Sequence, residues 1–446
     1  MADPLFTTEP MREIFSPRVR LARMLDFEAA LAHAEASVGV IPQAAADVIA
    51  AHCDVAQFDV DAIDRAARNA GNLAIPLVAA LTRNVAHDDA VAKGYVHWGA
   101  TSQDAIDTGL VLQLRDALAL VDADLARLTA ALAKQARRQT ATVLAGRTWL
   151  QQALPTTLGV KLATTVSALD RHRDRLTSAR ERALVLQFGG AVGTLASLHD
   201  RGLDVSAALG KALDLPIPDA PWHTQRDRLC EIASMLGMLT ATLGKLARDL
   251  SLLAQTEVGE VDEPAAPGRG GSSTMPQKRN PVGASIALAA AVRVPGLVAT
   301  MLSAAVQEHE RGLGDWPAEW EALPDIVQLV AGALDAMAEV AEGLDVHPER
   351  MRTNLELTNG LIFAEAVQMA IAPSIGRDAA HSLVASACRQ AIAQNAHLRD
   401  ILQTEPKVTA VLDSAAIANL FDPAGYLGVS AAYVERALAR HPDRGN

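Results

Sequence analysis

The sequence predicts an all-α protein built from long, closely packed helices. Hydrophobic residues make up 50% of the 446 residues and aromatic residues only 3%, so small aliphatic side chains must fill the interior. Such side chains favour packing between helices, whereas sheets draw on aromatic and β-branched residues. Two long segments also carry leucine at alternating spacings of three and four, which is typical of helices that pack nearly parallel to long neighbours.

The chain length suits two or three structural units, and we predict three helical domains. Residues 1–103 form a small first domain that begins with a helix predicted over Glu13–Val38. Residues 104–350 form a central domain of long helices. Residues 351–446 form a third domain, in which prolines and glycines separate shorter helices. These shorter helices are predicted over Leu361–Ala372, Ala379–Ala393 and Val429–Arg440.

Two leucine-rich helices define the central domain. The seam of the first consists of Val111, Leu114, Leu118, Val121, Leu125, Leu128 and Leu132. The second, predicted over His223–Val261, has a leucine seam and a parallel stripe of small residues that includes Gly237 and Gly244. Such a helix is buried on two sides, so we expect subunits to share a bundle rather than form an extended coiled coil. A third helical region, residues 282–343, is interrupted at residues 308–317.

Composition excludes several functional classes. The formal net charge of −12 at pH 7 gives no basic surface for nucleic acid or anionic membranes. The cysteines have neither a metal-ligand spacing nor a disulfide pattern, so we expect no metal and a reducing compartment. The N-terminus lacks the apolar run of a secretory signal, and Arg293 and Pro295 interrupt the most apolar stretch. We therefore expect a soluble, cytoplasmic protein.

One loop has the composition of a binding element. Gly268–Pro281 reads G-R-G-G-S-S-T-M-P-Q-K-R-N-P, and its three glycines fit no regular element. A loop that is flexible at its start and stiff at its end can close over a bound molecule. The alternative is a solvated turn between two helices. The density of hydrogen-bond donors around Lys278 favours the binding loop.

A second block opens the first leucine-rich helix. Tyr95–Asp107 reads Y-V-H-W-G-A-T-S-Q-D-A-I-D, in which Thr101, Ser102 and Asp104 can cap the helix. A helix N-terminus with hydroxyls and free N–H groups can equally bind a carboxylate. His97 lies just before it and is a candidate donor, acceptor or core residue.

Two further segments combine polar and aromatic residues. Gly146–Gln151 reads G-R-T-W-L-Q and contains Thr148, Trp149 and Gln151. Trp222–Arg228 opens the second leucine-rich helix with two arginines that either face an anion or, as we expect at an exposed helix start, are solvated. Arg311 lies close in sequence to Trp316 and Trp320, and these three residues either line a pocket or pack a helix junction.

The loop and the blocks around Thr101 and Thr148 resemble the three shared regions of the fumarase/aspartase superfamily. The resemblance implies a homotetramer with a common central bundle, in which each active site takes its three regions from three different subunits. It also implies that Thr101 and Ser102 bind a substrate carboxylate and that Ser273 is the acid or base of the reaction.

Within that superfamily the chain resembles, from end to end, the 3-carboxy-cis,cis-muconate cycloisomerase family. The segments that carry this resemblance are Met11–Ser16, His97–Asp104, Gly146–Gln151, Trp222–Arg228 and Gln307–Trp316. The family implies that a carboxylate of the substrate adds to a conjugated double bond and forms a carboxymuconolactone, in the protocatechuate branch of aromatic degradation, the β-ketoadipate pathway. It implies no cofactor. Most superfamily members have a histidine where this chain has Trp149.

The residue types suit that chemistry. Addition to a double bond conjugated with a second carboxylate builds negative charge on that group, which Lys278 and Asn280 can stabilise. The neighbouring carbon then needs a proton, for which Ser273 is the candidate donor. The predicted ligand is a small tricarboxylate. The predicted substrate-binding residues are His97, Thr101, Ser102, Thr148, Trp149, Gln151, Ser272, Met275 and Arg311.

Two other functions remain open at this point. One is that of another lyase of the superfamily, adenylosuccinate lyase being the nearest, although Trp149 replaces the usual histidine. The other is that of a catalytically silent structural homologue of the kind found among lens crystallins. The complete set of Ser273, Lys278 and Asn280 argues against a silent protein, because a structural role does not require it. Trp149 itself either walls the substrate site or fills a helix junction.

Overall fold

The computed structural model describes residues 3–265 and 268–441. Within these ranges, 18 α-helices and four short β-strands are present. The predicted all-α class is confirmed, because the strands form only two small two-stranded sheets. The ends of the predicted first and third domains, residues 1–2 and 442–446, lie outside the described residues.

The helices up to the second leucine-rich segment follow the chain in order. They are α1 (Glu9–Ile14), α2 (Pro17–Ser37), α3 (Gln43–Ala51), α4 (Val60–Ala70), α5 (Ala74–Asp88), α6 (Ser102–Arg138), α7 (Leu158–Ala183), α8 (Gly202–Leu213) and α9 (Asp227–Leu253). Between α6 and α7 the chain forms a hairpin of β1 (Val143–Thr148) and β2 (Gln151–Thr157).

The remaining elements begin with two long helices and end with shorter ones. They are α10 (Val282–Ala304), α11 (Asp315–Glu342), α12 (Pro348–Leu355), α13 (Ala364–Ile375), α14 (Arg377–Gln394), α15 (Leu398–Gln403), α16 (Pro406–Thr409), α17 (Ser414–Asn419) and α18 (Ser430–Ala437). The strands β3 (Val261–Asp262) and β4 (Asp345–Val346) pair antiparallel.

The chain forms two compact units, each assembled from three segments. The first unit contains Met1–Ala126, Arg171–Gly244 and Ile286–Ala336. The second unit contains Arg127–Asp170, Lys245–Ser285 and Met337–Asn446. The predicted division into three consecutive domains stays a prediction.

The bounds predicted for the first helix are wrong, because the helix is interrupted at Phe15 and Ser16. The hydroxyl of Ser16 accepts the N–H of Val19 at 3.2 Å and so caps a new helix. Pro17 occupies the first position of that helix, where its missing N–H leaves no acceptor unsatisfied. The predicted continuous segment is therefore two helices, α1 and α2.

The predicted leucine seams are confirmed as buried faces. All seven predicted residues of the α6 seam are fully buried, and the α9 seam is buried from Leu229 to Leu253. The α9 helix is shorter than predicted at both ends. It begins only at Asp227, after the turn that contains Arg226, and it ends before Gly259, whose φ of 59° is left-handed.

The small-residue stripe on α9 is the contact face for α10. A Cβ added at Gly244 would lie 2.6 Å from the Cβ of Ala291, and one added at Gly237 would lie 3.0 Å from a methyl group of Val298. Both helices are long and apolar enough to cross a membrane by length and composition alone, criteria that the core helices of soluble proteins also meet. The apolar window of α9 is 61% buried and that of α10 only 28%.

We expect Gly244→Ala to lower the free energy of unfolding by roughly 1–3 kcal/mol, because the added methyl group overpacks the contact with Ala291. Denaturant-induced unfolding at a fixed protein concentration measures this change. Gly425→Ala is the matched control, because its Cβ would meet only an oxygen of Asn419 at 3.9 Å. Equal midpoints for the two variants would show that α9 and α10 are not in close contact.

Candidate active site

The first group of predicted site residues lies at the start of α6, in the first unit. Thr101 precedes the helix, and its N–H donates to the Asp104 carboxylate at 3.0 Å. The Arg311 guanidinium donates to Thr101 Oγ1 at 3.4 Å and to Gln103 Oε1 at 2.9 Å. Ser102 is the first residue of α6. The structure therefore brings Thr101, Ser102 and Arg311 together at a helix N-terminus, where N–H groups favour an anion.

Asp104 anchors this helix start to the segment that follows α7, residues 187–190. Its carboxylate accepts the N–H groups of Gly189 and Gly190 at 3.0 and 2.9 Å and the side-chain amide of Gln187 at 3.2 Å. Burial raises the pKa of Asp104 to about 6, against these donors, which favour the charged form. The residue is therefore occupied in holding protein groups, and the predicted capping role is only part of its function.

The prediction that the arginines at the start of α9 are solvated is wrong for Arg226, which is buried. Its side chain is 1% exposed and donates to Asp107 at 2.7 Å and to Glu319 at 2.6 Å. Although burial alone lowers the pKa of a guanidinium, Asp107 and Glu319 raise the pKa of Arg226. Asp107 also accepts from the indole N–H of Trp316 at 3.1 Å and from Gln103 at 3.0 Å. Gln103 therefore links this buried ion-pair network to Arg311, because it donates to Asp107 and accepts from the Arg311 guanidinium.

His97 is the fourth predicted residue of this group. Its backbone adopts a left-handed φ of 58°, which is uncommon for a residue other than glycine. Its Nδ1 lies 2.6 Å from Oε1 of Glu28, a carboxylate buried on α2. Strained backbone conformations concentrate at functional sites. His97 is therefore held by a specific partner and is not a filler of the apolar core.

The second group is the turn of the β1–β2 hairpin, which the sequence did not predict. Thr148 pairs with Gln151, and Trp149 and Leu150 form the two-residue turn with φ values of 52° and 65°. Trp149 is 98% exposed. The alternative that Trp149 fills a helix junction is therefore wrong. Left-handed φ values at both turn positions match the twist of a hairpin but are usually supplied by glycine or asparagine.

A buried ion pair fixes the base of the hairpin. Arg147 on β1 donates to both carboxylate oxygens of Glu260, at 2.6 and 3.0 Å. Glu260 is fully buried and also accepts from the side-chain amide of Asn354 at 2.8 Å. A bidentate pair of this kind holds a guanidinium in a single orientation. The exposed turn is thus carried on a rigid base.

The third group is the loop Gly268–Pro281, which belongs to the second unit, as the hairpin does. Its neck is closed by the Asn280 N–H, which donates to the Gly270 carbonyl at 2.8 Å. A Cβ at Gly270 would lie 2.6 Å from the Asn280 carbonyl oxygen, so only glycine permits this approach. Between these residues the chain is mostly exposed, including Ser273, Met275 and Lys278.

The two loop serines differ in their contacts. Ser272 Oγ accepts the N–H groups of Met275 at 3.1 Å and Thr274 at 3.4 Å, so it shapes the turn. Ser273 is exposed and makes no hydrogen bond within residues 3–265 and 268–441. A hydroxyl without an internal partner is available to a ligand. The geometry therefore favours Ser273 over Ser272 as the reactive hydroxyl.

The C-terminal end of the loop has its own anchors. Arg279 donates to Asp262 at 3.3 Å, and Asp262 also lies 3.1 Å from Nε2 of His347. The Glu263 carboxylate accepts two N–H groups of the first turn of α10, from Gly283 and Ala284, at 2.9 and 2.8 Å. Asp262, His347 and Asp345 offer atoms within 4.8 Å of one another, a spacing that would suit a metal ion. Because Arg279 already supplies the positive charge here, we assign the cluster to holding the loop.

The structure thus places the predicted residues in three groups on separate elements. The α6 group belongs to the first unit, while the hairpin turn and the loop belong to the second, each with its own anchor. A cavity of about 420 Å³ in the first unit is lined by Arg20, Trp320 and Gln328. Of the three residues predicted either to line a pocket or to pack a helix junction, only Trp320 lines this cavity, and none of the predicted catalytic or substrate-binding residues does.

Sequence reasoning missed Gln103 and Glu28, the partners of Arg311 and His97. Gln103 lies inside the block that carries the resemblance, so its position was a signal. Glu28 follows Phe27 on the apolar face of α2, and Glu35 is on the same face two turns later. Acidic residues at core positions are rarely buried without a partner, so this pattern was a second signal.

Comparison with known proteins identifies the family. The sequence profile of the family described as Lyase matches residues 6–296, and the one described as Adenylosuccinate lyase C-terminus matches residues 360–437. A 3-carboxy-cis,cis-muconate cycloisomerase from Pseudomonas aeruginosa is 58% identical over 439 residues, which cover 98% of this chain and 96% of the relative. A protein of the same name from Bradyrhizobium diazoefficiens is 52% identical over 435 residues, with 98% and 96% coverage.

A solved structure supports the same assignment. The crystal structure of the 3-carboxy-cis,cis-muconate lactonizing enzyme from Pseudomonas putida superimposes with a TM-score of 0.93 at 54% identity, covering 98% of this chain and 97% of the other. The resemblance to the cycloisomerases, inferred from the sequence, is confirmed. The chain belongs to the lyase family of the fumarase/aspartase superfamily and is an enzyme of the lyase and isomerase type.

Proposed function

We propose that this chain converts 3-carboxy-cis,cis-muconate to a carboxymuconolactone, by intramolecular addition of a carboxylate to a conjugated double bond. The reaction belongs to the protocatechuate branch of aromatic degradation and takes place in the cytoplasm. The proposal rests on one observation: Ser273 and Lys278 lie in an exposed loop, and the same chain exposes Trp149 at a hairpin turn. The relatives named as cycloisomerases, at 52% and 58% identity over nearly the whole chain, support it.

The loop supplies the groups that the reaction needs. As the carboxylate oxygen bonds to one carbon, electrons move into the second carboxylate, which becomes doubly charged. The Lys278 ammonium and the Asn280 amide stabilise that charge, and preorganised donors of this kind contribute roughly 3–4 kcal/mol each. Ser273 then delivers a proton to the neighbouring carbon. Loop closure would favour proton release from this hydroxyl by bringing backbone N–H donors and the Lys278 ammonium to the developing oxyanion.

The three carboxylates of the substrate need several donors. Thr101, Ser102 and Arg311 provide one carboxylate site at the start of α6, and His97 lies next to it in sequence. Thr148 and Gln151, which flank the exposed turn, provide hydroxyl and amide donors for another. Ser272 and Met275 complete the contacts of the loop. Distributing the donors over three groups lets one site hold the substrate in a bent, ring-closing shape.

The active enzyme is a homotetramer in which different subunits supply the three groups. Two features support this assembly. Trp149 and Leu150 are 98% and 77% exposed on a strained turn with a rigid base. The α10 helix exposes apolar side chains such as Val292, which is 79% exposed. Exposed apolar surface marks a binding face. Because this face is a long helix, a helix of a second copy of the chain can pack along it.

Loss of the diene's ultraviolet absorbance, with purified protein and 3-carboxy-cis,cis-muconate, tests the function. We expect turnover without added metal or cofactor.

Ser273→Ala should lower kcat about 100-fold or more with little change in substrate binding, because a positioned proton donor contributes 10²–10⁴ in rate. Lys278→Met should weaken both binding and turnover, since its charge acts in both states. Turnover of adenylosuccinate instead, or of neither substrate, would contradict the proposal.

Assembly has its own test. Light scattering should give the mass of four chains, and activity should fall as dilution dissociates the particle, because no monomer carries a complete site. Mixing two inactive variants, Ser273→Ala and Arg311→Met, should restore part of the activity if their sites draw on different subunits. A fully active monomer would contradict this arrangement.

Trp149→His tests the role of the turn. In the reverse reaction the leaving group is a carboxylate, whose conjugate acid has a pKa of about 4, so it departs without protonation. A histidine at this position would therefore have no leaving group that needs its proton, whereas the indole excludes water from the site. We expect lower lactonising activity, no new acid limb in the pH–rate profile and no amine elimination. Full activity with a histidine-like titration would assign proton transfer to position 149.

A further inference from the structure

Two acidic residues are buried on one face of α2 in the first unit. Glu28 is 1% exposed and Glu35 is fully buried. One oxygen of Glu28 lies 2.6 Å from His97 Nδ1, and the other has no hydrogen-bond partner among the described residues. Neither oxygen of Glu35 has a partner there. An unpaired carboxylate in such surroundings is strongly destabilising, so the pair must be neutralised by protons or by His97.

His97 uses only one of its two ring nitrogens to contact this pair. Nδ1 is bound to Glu28, whereas Nε2 makes no hydrogen bond within the described chain, and the side chain is 16% exposed. The ring lies four residues before Thr101, at the helix start that Arg311 also contacts. Its free nitrogen is thus available to a ligand of the α6 group.

We infer that Glu28 is a positioning residue that keeps His97 as an imidazolium, so that Nε2–H binds a carboxylate of the substrate. This inference rests on the proposed function. With a neutral ring whose proton is on Nδ1, Nε2 would present a lone pair and repel a carboxylate. With a charged ring, both nitrogens donate, one to Glu28 and one to the substrate. The buried carboxylate therefore determines whether position 97 attracts or repels the ligand.

The surrounding charges agree with this assignment. Burial alone would lower the pKa of His97, but the charge and hydrogen bond of Glu28, together with Asp104, raise it. Burial and the neighbouring Glu28 raise the pKa of Glu35 to about 9, so Glu35 is neutral at physiological pH. Cys53, the other titratable group that Glu28 influences, has a pKa raised chiefly by burial and stays a neutral thiol. The negative charge of the pair thus falls on Glu28, opposite His97.

Glu28→Gln tests the inference, with Glu35→Gln as the matched control. Both changes keep the size of the side chain, but only the first removes the negative charge opposite His97, while its amide oxygen can still accept the Nδ1–H of a neutral ring. At pH 7.5 we expect Glu28→Gln to raise KM about 10-fold with little change in kcat, since one charged hydrogen bond to the substrate is lost. At pH 6 the KM values should converge, because a histidine with an ordinary pKa of about 6.5 is then mostly protonated. Glu35→Gln should leave the KM–pH profile unchanged.

A second readout does not depend on activity. In histidine-selectively ¹³C-labelled protein, the His97 resonance of the unmodified chain should titrate above the ordinary value of about 6.5, and Glu28→Gln should lower that midpoint by about one unit or more. A wild-type midpoint at or below the ordinary value, or no shift in Glu28→Gln, would overturn the inference. A chain that shows the shift but does not lactonise the substrate would refute the proposed function and leave the charge state of His97 established.

Discussion

The ion pairs of Arg226 are the interaction on which the first unit depends. They join the start of α9 to Asp107 on α6 and Glu319 on α11 in a place from which water is excluded. Desolvating three charges is favourable only if every one of them is hydrogen-bonded, which restricts the three helices to one arrangement. Through Gln103 the same network reaches Arg311, so helix packing and the orientation of a ligand-binding cation have one origin.

The long helices could be predicted because their determinants are local. The residues of the α6 seam repeat with the helical period, and their complete burial follows from that pattern. The burial of Arg226 could not be predicted in this way, since it depends on which distant carboxylates the fold brings to it. The hairpin turn escaped prediction because Trp149 and Leu150 are not turn-forming residues. In both cases tertiary contacts decided against the local preference.

For the candidate site, resemblance identified the residues but not their contacts. Thr101, Arg311 and the loop serines were named from sequence, yet only the structure distinguishes Ser272, which shapes the turn, from Ser273, which has no internal partner. Glu28 was overlooked because the helix predicted over Glu13–Val38 was identified from the period of its apolar residues alone. A polar residue on such a face indicates a buried partner elsewhere in the chain.

The turn at position 149 has a consequence for how the family diversifies. Its left-handed backbone suits asparagine, aspartate, histidine or glycine better than tryptophan. A side chain that is 98% exposed makes few contacts within its own chain, so exchanging it disturbs no core. Selection at this position can therefore act on chemistry with little penalty in folding, and histidine, the residue that the superfamily resemblance implies here for most members, is a less strained occupant. A change at this turn alters the surface that the chain presents to a substrate or a partner while leaving its own interior packing intact.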